Sequence, residues 1–383
     1  MQHHEDVYQR LRREIDKMPI AYPSARSGVE LRLLRHLFTP EEAEVAVHLN
    51  ILPESVSRIR ARLGKNGIDI TEEKLERMLD GLVNKGAILT DQFAEKRRGK
   101  KKRFSLVQIV IGMFEFQVDR ITGEFSRDFN EYFDDSLHRP ALEMSTWQMR
   151  TIPIGTSLSP GTRVADYDNI RKYVSNLKDG ICVMNCVCRQ STDVIGKPCT
   201  HSDLLESCLT FHDAARLMRG KGIGRWITRE ETLALLDRAE KEGFILQPEN
   251  SREPSFMCMC CRDCCHDLKL LRLHPRPSEY IHARYRAQVD ASRCKGCKKC
   301  IAACAMEAIS MHDRTAVVNP DSCIGCGVCS TACTHHAHSM IRTERNYVPP
   351  KTSDAMYQKI MVERFGFMGT MKAVARVLTG GKA

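Results

Sequence analysis

Eight cysteines within residues 294–333 constrain this chain more than any other feature. Cys294, Cys297, Cys300 and Cys304 stand in CKGCKKCIAAC, and Cys323, Cys326, Cys329 and Cys333 in CIGCGVCSTAC, so that both halves read CxxCxxCxxxC. Thiols at such density form disulfides, hold zinc, or hold a multi-metal centre. The first residues, MQHHEDVYQRLRREID, lack the basic start and apolar core of a secretory signal, and no apolar run approaches the roughly 20 residues needed to span a bilayer. A cytoplasmic location is therefore expected, where thiols stay reduced and free for metal. Zinc sites usually use CxxC pairs with longer spacers between them, which these runs lack.

The duplicated run resembles the bacterial two-cluster ferredoxin, over roughly residues 288–342. That resemblance implies one [4Fe–4S] cluster on Cys294, Cys297, Cys300 and Cys333, and a second on Cys323, Cys326, Cys329 and Cys304. The chain departs from the family at two points. Ala305 and Thr334 replace the proline that usually follows each fourth cysteine, and the second run ends in His335, His336 and His338. Proline there shapes backbone and is not a ligand, so cluster binding is expected to survive. All eight cysteines are present, which leaves the histidines to tune the field of a cluster or to face solvent.

The chain has 383 residues, more than one core usually serves, and several modules are expected. The fold class is read as α+β and multidomain. It comprises a winged-helix-like domain (1–112), a connector (113–165), a cysteine-rich iron–sulfur domain (166–287), the two-cluster ferredoxin domain (288–342) and an amphipathic tail (343–383). In the first, Leu31, Leu33, Leu34 and Leu37 begin a helix, and Thr39-Pro40-Glu41-Glu42 carries the cap, proline and glutamate of a capping box. Val56, Ile59 and Leu63 mark a second helix. A third runs from Thr71 to about Lys85, closed by Gly86, in the recognition-helix position. Strands over Ala87–Thr90 and Phe104–Ile111 flank a wing with seven basic residues in 96–103. The wing suits phosphates, but residues 72–85 carry a net charge of −1, which disfavours placing that helix among them. Docking of a protein partner, or of the rest of the chain, is the preferred use.

The connector is read as irregular, with Phe114, Phe116, Phe125, Phe129, Tyr132 and Phe133 capping a core, and Thr151–Thr162 as its most linker-like piece. Beyond it, the apolar strand ICVMNCVC leads into Cys186 and Cys188, followed by Arg189, then Cys199 in GKPC and Cys208 in a helical pattern. Thr228–Glu231 reads as a further capping box. MCMCCRDCC then supplies Cys258, Cys260, Cys261, Cys264 and Cys265, so ten of the 18 cysteines precede the ferredoxin runs. This order of motifs looks like the large 4Fe–4S ferredoxin-like proteins of anaerobic bacteria and archaea, and implies a multi-cluster carrier working beside partner oxidoreductases. Neighbouring residues on extended backbone point to opposite faces, so Cys260 and Cys261, or Cys264 and Cys265, should serve different centres. One or two further [4Fe–4S] clusters are expected upstream, on Cys186, Cys188, Cys199, Cys208, Cys258, Cys260, Cys261, Cys264 and Cys265. Cys182, within the apolar strand, reads as a buried structural thiol.

The tail places Met356, Ile360, Met361, Phe365, Phe367, Met368, Met371, Val374 and Val377 at helical spacing among basic residues, suited to a partner groove or to the chain's own core. The net charge of +10 fits nucleic acid, an anionic membrane or an acidic partner, and part of it offsets the negative clusters. No Walker loop, GxGxxG or HExxH is present, so no catalytic residue is assigned. The leading function is an iron–sulfur electron carrier passing electrons between partner oxidoreductases. Arg189, Lys295, Lys298 and Lys299 would set potential or dock an acidic partner. The alternatives are a redox-sensing winged-helix transcription regulator and a redox enzyme with an open iron upstream.

Overall fold

Helix caps written into the sequence set the first elements. The computed structural model describes residues 6–158 and 165–382, and the chain divides into two units. The first runs to Met144 and takes in Asp193–Gly196 and the chain from Tyr357; the second holds Ser145–Thr192 and Lys197–Met356.

The first unit opens with helices α1 (Val7–Ile15), α2 (Val29–Leu37) and α3 (Pro40–Ala46), then strand β1 (Glu54–Ser55), α4 (Val56–Lys65) and α5 (Glu72–Lys85). Thr39 Oγ1 accepts from the Glu42 N–H (3.3 Å) and the Glu42 carboxylate from the Thr39 N–H (2.8 Å), the closed capping box expected there. On α5, Leu75, Leu79, Leu82 and Val83 are buried, and Gly86 ends the helix at φ 75°. Only glycine fits that position, because a Cβ would lie 2.9 Å from Arg120 Nη2 and closer still to Phe116. Strands β2 (Ile88–Thr90) and β3 (Arg103–Leu106) then flank the basic loop, and the antiparallel sheet has the order β1-β3-β2. β3 stops at Leu106, short of the expected Ile111, because the Met113 and Phe114 N–H groups turn back to the Gln108 and Ile109 carbonyls.

The irregular connector is corrected. Residues 113–144 belong to the first unit and form α6 (Gly123–Tyr132) and α7 (His138–Leu142). Phe125, Phe129 and Tyr132 recur at helix spacing and are buried; Phe129 stacks on Phe114 at 3.7 Å, and Tyr132 meets Tyr22 edge-on at 5.0 Å. The aromatic set is core, as its spacing of four and three residues allows. The linker-like stretch is also tied down in its first half. The Ile152 N–H donates to Leu246 O (3.1 Å) and Ile154 is fully buried; residues 159–162 lie outside the described residues.

The chain's last helix, Ser353–Leu378, is broken at Gly366 (φ 71°), and of its expected apolar stripe Met356, Ile360, Met361 and Val377 are buried while Phe365, Phe367, Met368 and Met371 are exposed. Its end folds back on the first unit: Val377 is buried, and Arg58 Nη2 donates to Val377 O (3.1 Å) and Leu378 O (3.0 Å). Lys382 pairs with Glu14 at 2.8 Å, and burial pushes its pKa down to about 8. A lysine that binds its proton less tightly when folded destabilises the native state below that value. Stability should therefore rise as pH climbs from about 8 towards the ordinary lysine range. Relative to Lys382→Met, the wild type should gain on the order of 1 kcal/mol between about pH 7.5 and 9.5 in urea unfolding, and a constant difference would refute this.

The second unit is built on a five-stranded antiparallel sheet: β4 (Ile181–Asn185), β5 (Glu206–Phe211), β6 (Arg225–Ile227), β7 (Ile245–Pro248) and β8 (Phe256–Cys260), in the order β6-β4-β5-β8-β7. Helices α8 (Ile170–Asn176), α9 (Val187–Asp193), α10 (His212–Gly220), α11 (Arg229–Lys241), α12 (His266–Leu273) and α13 (Pro277–Tyr280) accompany it. Leu209, Phe211, Met257 and Met259 point one way into an apolar core with Val174, Leu236 and Phe244. Cys182 is fully buried, and its thiol donates to the Val183 and Ile223 carbonyls at 3.7 Å. Two local readings are revised. Cys208 lies on β5 and not in a helix, because β5 is paired on both sides; β4 ends at Asn185, so Cys186 and Cys188 fall at the start of α9. Thr228 caps α11 through the Glu231 N–H (3.1 Å), but the Glu231 carboxylate pairs with Arg225 at 2.6 Å.

The ferredoxin-like part follows, with β9 (Tyr285–Val289), α14 (Lys299–Ala303), β10 (Ile309–His312), β11 (Thr315–Val318), α15 (Val328–Thr331) and β12 (His338–Arg342). β9 pairs with β12 and β10 with β11, both antiparallel. The two halves repeat in backbone detail. Gly296 and Gly325, Lys298 and Gly327, and Glu307 and His336 all take positive φ at matching places, with Lys298 and Gly327 starting α14 and α15.

Candidate iron–sulfur centre

Each half of the repeat places its first two cysteines in a loop, its third in the short helix that follows, and its fourth after that helix. Cys294, Cys297 and Cys300 line one hollow together with Cys333 from the other half, which is the crossed set carried over from the ferredoxin resemblance. In the second set, burial pushes the Cys326 thiol up to about 12, with Cys323 and Cys304 adding to the shift; the same two neighbours act on Cys329. Cys326 and Cys329 thus each have Cys323 and Cys304 as neighbours. Backbone N–H groups aim at one first and one fourth cysteine in each half. Ala316 donates to Cys294 Sγ (3.5 Å), Ala287 to Cys323 Sγ (3.5 Å), Ala308 to Cys304 Sγ (3.3 Å) and Ala337 to Cys333 Sγ (3.4 Å). Such donors favour the thiolate, the form that binds iron, and help set a cluster's potential. Convergent thiols with amide donors fit [4Fe–4S] clusters, which supply one-electron transfer when bound.

The two hollows differ in cover. Cys297 is exposed, ringed by exposed Lys295, Lys298 and Lys299, whereas Ile154 donates its N–H to Cys326 O (3.1 Å) and Ser157 packs on Gly327. A Cβ at 327 would meet Ser157 Cβ at 2.6 Å, so glycine admits this strap. Nothing in the cysteine pattern announced it. His335 and His336 are exposed, His338 is buried on β12, and burial lowers its pKa. Where proline is missing, Ala305 O instead accepts from Arg272 Nη1 at 3.0 Å.

Nine upstream cysteines gather around the end of the five-stranded sheet. Cys208 and Cys258 are direct cross-strand partners, and Cys260 lies two residues on, so all three share the face opposite the apolar core. Hydrogen bonds from Cys208 and Cys260 hold the Cys258 thiol well below its ordinary range, and Cys260, bonded to Cys258 and Cys265, is driven well above it. Cys188 bonds to Cys186 and lowers its pKa, while Cys265 caps α12 by accepting from the Leu268 N–H (3.5 Å). Cys199, Cys261 and Cys264 form a separate trio whose sulfurs all lie within 4.8 Å of one another. Adjacent cysteines therefore part company: Cys260 and Cys265 face one group, Cys261 and Cys264 the other. The Cys261 thiol is held down to about 5, first by its bond from Cys264 and then with help from the Arg189 guanidinium.

Residues 293–337 match the family model described as a 4Fe-4S dicluster domain. This segment is a ferredoxin-like iron–sulfur module. Comparison with curated proteins and with solved structures gives no match. Among the described residues, no helix is long and apolar enough to cross a membrane.

Proposed function

We propose that the chain is a multi-cluster electron carrier that passes electrons between partner oxidoreductases, with two [4Fe–4S] clusters in the module and a further one on the group of Cys186, Cys188, Cys208, Cys258, Cys260 and Cys265. The observation that carries this is the asymmetry of the module. One set of cysteines reaches solvent at Cys297 within a lysine rim, and the other is covered, so electrons arrive from inside and leave through the exposed set. An acidic partner surface matches the rim. Anaerobic purification should give about twelve irons per chain, and a value near about eight would remove the upstream cluster. Replacing Lys295, Lys298 and Lys299 by glutamate should slow oxidation of the reduced protein by ferricyanide about tenfold at low salt and reverse the sign of its salt dependence. Equal rates would refute the exit route.

The elements α3 to β3 support a winged helix used for docking. Lys102 pairs with Asp80 (2.7 Å) and Glu76 (3.4 Å) on α5, and Arg97 and Arg103 with Asp91, so part of the basic wing is spent on its own acidic neighbours. This weighs against the regulator reading. A second docking surface is the last helix, where Phe367, Met368 and Met371 are at least half exposed, at 64%, 66% and 50%.

A further inference from the structure

We propose that Cys199, Cys261 and Cys264 bind a single tetrahedral ion of the zinc class at a site separate from the iron–sulfur clusters. The spacing of the sulfurs carries the inference. Cys199 Sγ and Cys261 Sγ are 3.6 Å apart and all three lie within 4.8 Å of one another. Thiolates sharing one zinc ion at about 2.3 Å stand roughly 3.8 Å apart at tetrahedral angles. A [4Fe–4S] cluster gives each thiolate its own iron and points it away from the cube, which holds the sulfurs farther apart. Among the described residues, the eight cysteines of the ferredoxin-like module contain no trio as tight as this one.

The surroundings complete the site. Asp263 Oδ2 lies 4.0 Å from Cys199 Sγ, outside the tight group of three sulfurs, and it accepts from the Thr200 N–H (3.1 Å) and Thr200 Oγ1 (2.7 Å). These bonds tie the turn after β8 to the loop that carries Cys199. Three thiolates leave a divalent ion with surplus negative charge, and Arg189 stands beside Cys261 and Cys199 to offset it. The Arg189 Nη1 donates to Ser202 O (2.9 Å) and Leu204 O (2.8 Å), its guanidinium lies 4.8 Å over the Phe244 ring, and its Nη2 is buried without a hydrogen-bond partner among the described residues. The ion would pin the loop carrying Cys199 to the turn between β8 and α12. That is a structural role and leaves electron transfer to the other cysteines.

The full chain, purified anaerobically and incubated with zinc chloride before desalting, should hold about one zinc per chain alongside its iron and acid-labile sulfide. Cys199→Ser should lose the zinc and leave iron, sulfide and the paramagnetic resonance of the reduced clusters unchanged. Cys264→Ser should likewise lose the zinc and keep the iron and sulfide. Wild type without zinc, or a Cys199→Ser or Cys264→Ser protein that loses iron and sulfide together, would overturn the proposal. A shortfall of iron in the wild type would instead strike the upstream iron–sulfur cluster, so the two failures are distinguishable.

Discussion

Cys326→Ser should lower the iron content by about four atoms per chain and leave the other clusters in place. Cys326 stands in the covered set, and its backbone carbonyl holds the strap through Ile154, an interaction the substitution does not touch. Iron and sulfide quantitation with a redox titration should therefore show one low-potential signal lost and the signal of the lysine-rimmed cluster kept. Cys297→Ser, at the exposed edge, should do the reverse. If both substitutions remove the same signal, the crossed assignment of ligands is wrong. Unchanged iron in either protein would show that the thiol is not a ligand.

Glu54→Ala should cost the first unit about 3–5 kcal/mol, the largest stability effect expected of a single substitution there. Arg62 and Glu54 are both buried and pair through two contacts, Nη2 to Oε1 at 2.7 Å and Nη1 to Oε2 at 2.9 Å, while Asn50 Nδ2 donates to Oε2 at 2.9 Å. Removing the carboxylate leaves a guanidinium in a place with little water, which is where the penalty arises. Joint replacement, Glu54→Ala with Arg62→Met, should recover most of the loss. Urea unfolding followed by far-ultraviolet circular dichroism, with cluster absorbance recorded in parallel, reads both results. A single substitution costing under about 1 kcal/mol would show that water reaches the pair.

Where spacing alone defines chemistry, the sequence was sufficient to locate it. The Thr39 capping box, α5 with its Gly86 stop and the separation of adjacent cysteines each follow from a periodicity or a local rule, while the crossed cysteine sets are what the ferredoxin resemblance implies. Less was legible where tertiary pairing decides. Cys208 stands amid residues that suit a helix, yet partners on both sides make it a strand. The aromatics at 125–132 carry a helical period, hidden by the polar stretch around them. Asp263 and Thr200 gave no signal because their meeting spans 63 residues of sequence. The Ile154–Ser157 strap was illegible for the same reason, since a short apolar segment does not reveal which loop it will cover.

The lysine that starts α14 holds a backbone angle that ordinary side chains resist. Lys298 sits at φ 63°, while its counterpart in the other half of the repeat, at φ 83°, is glycine. Left-handed backbone costs a side-chain-bearing residue roughly 1 kcal/mol relative to glycine. The module therefore gives up stability to keep a positive charge at the mouth of the exposed cysteines. A glycine there would make a firmer protein, and under the proposed carrier function it would loosen the hold on an acidic partner, so rigidity and electron exchange would pull on this one position in opposite directions.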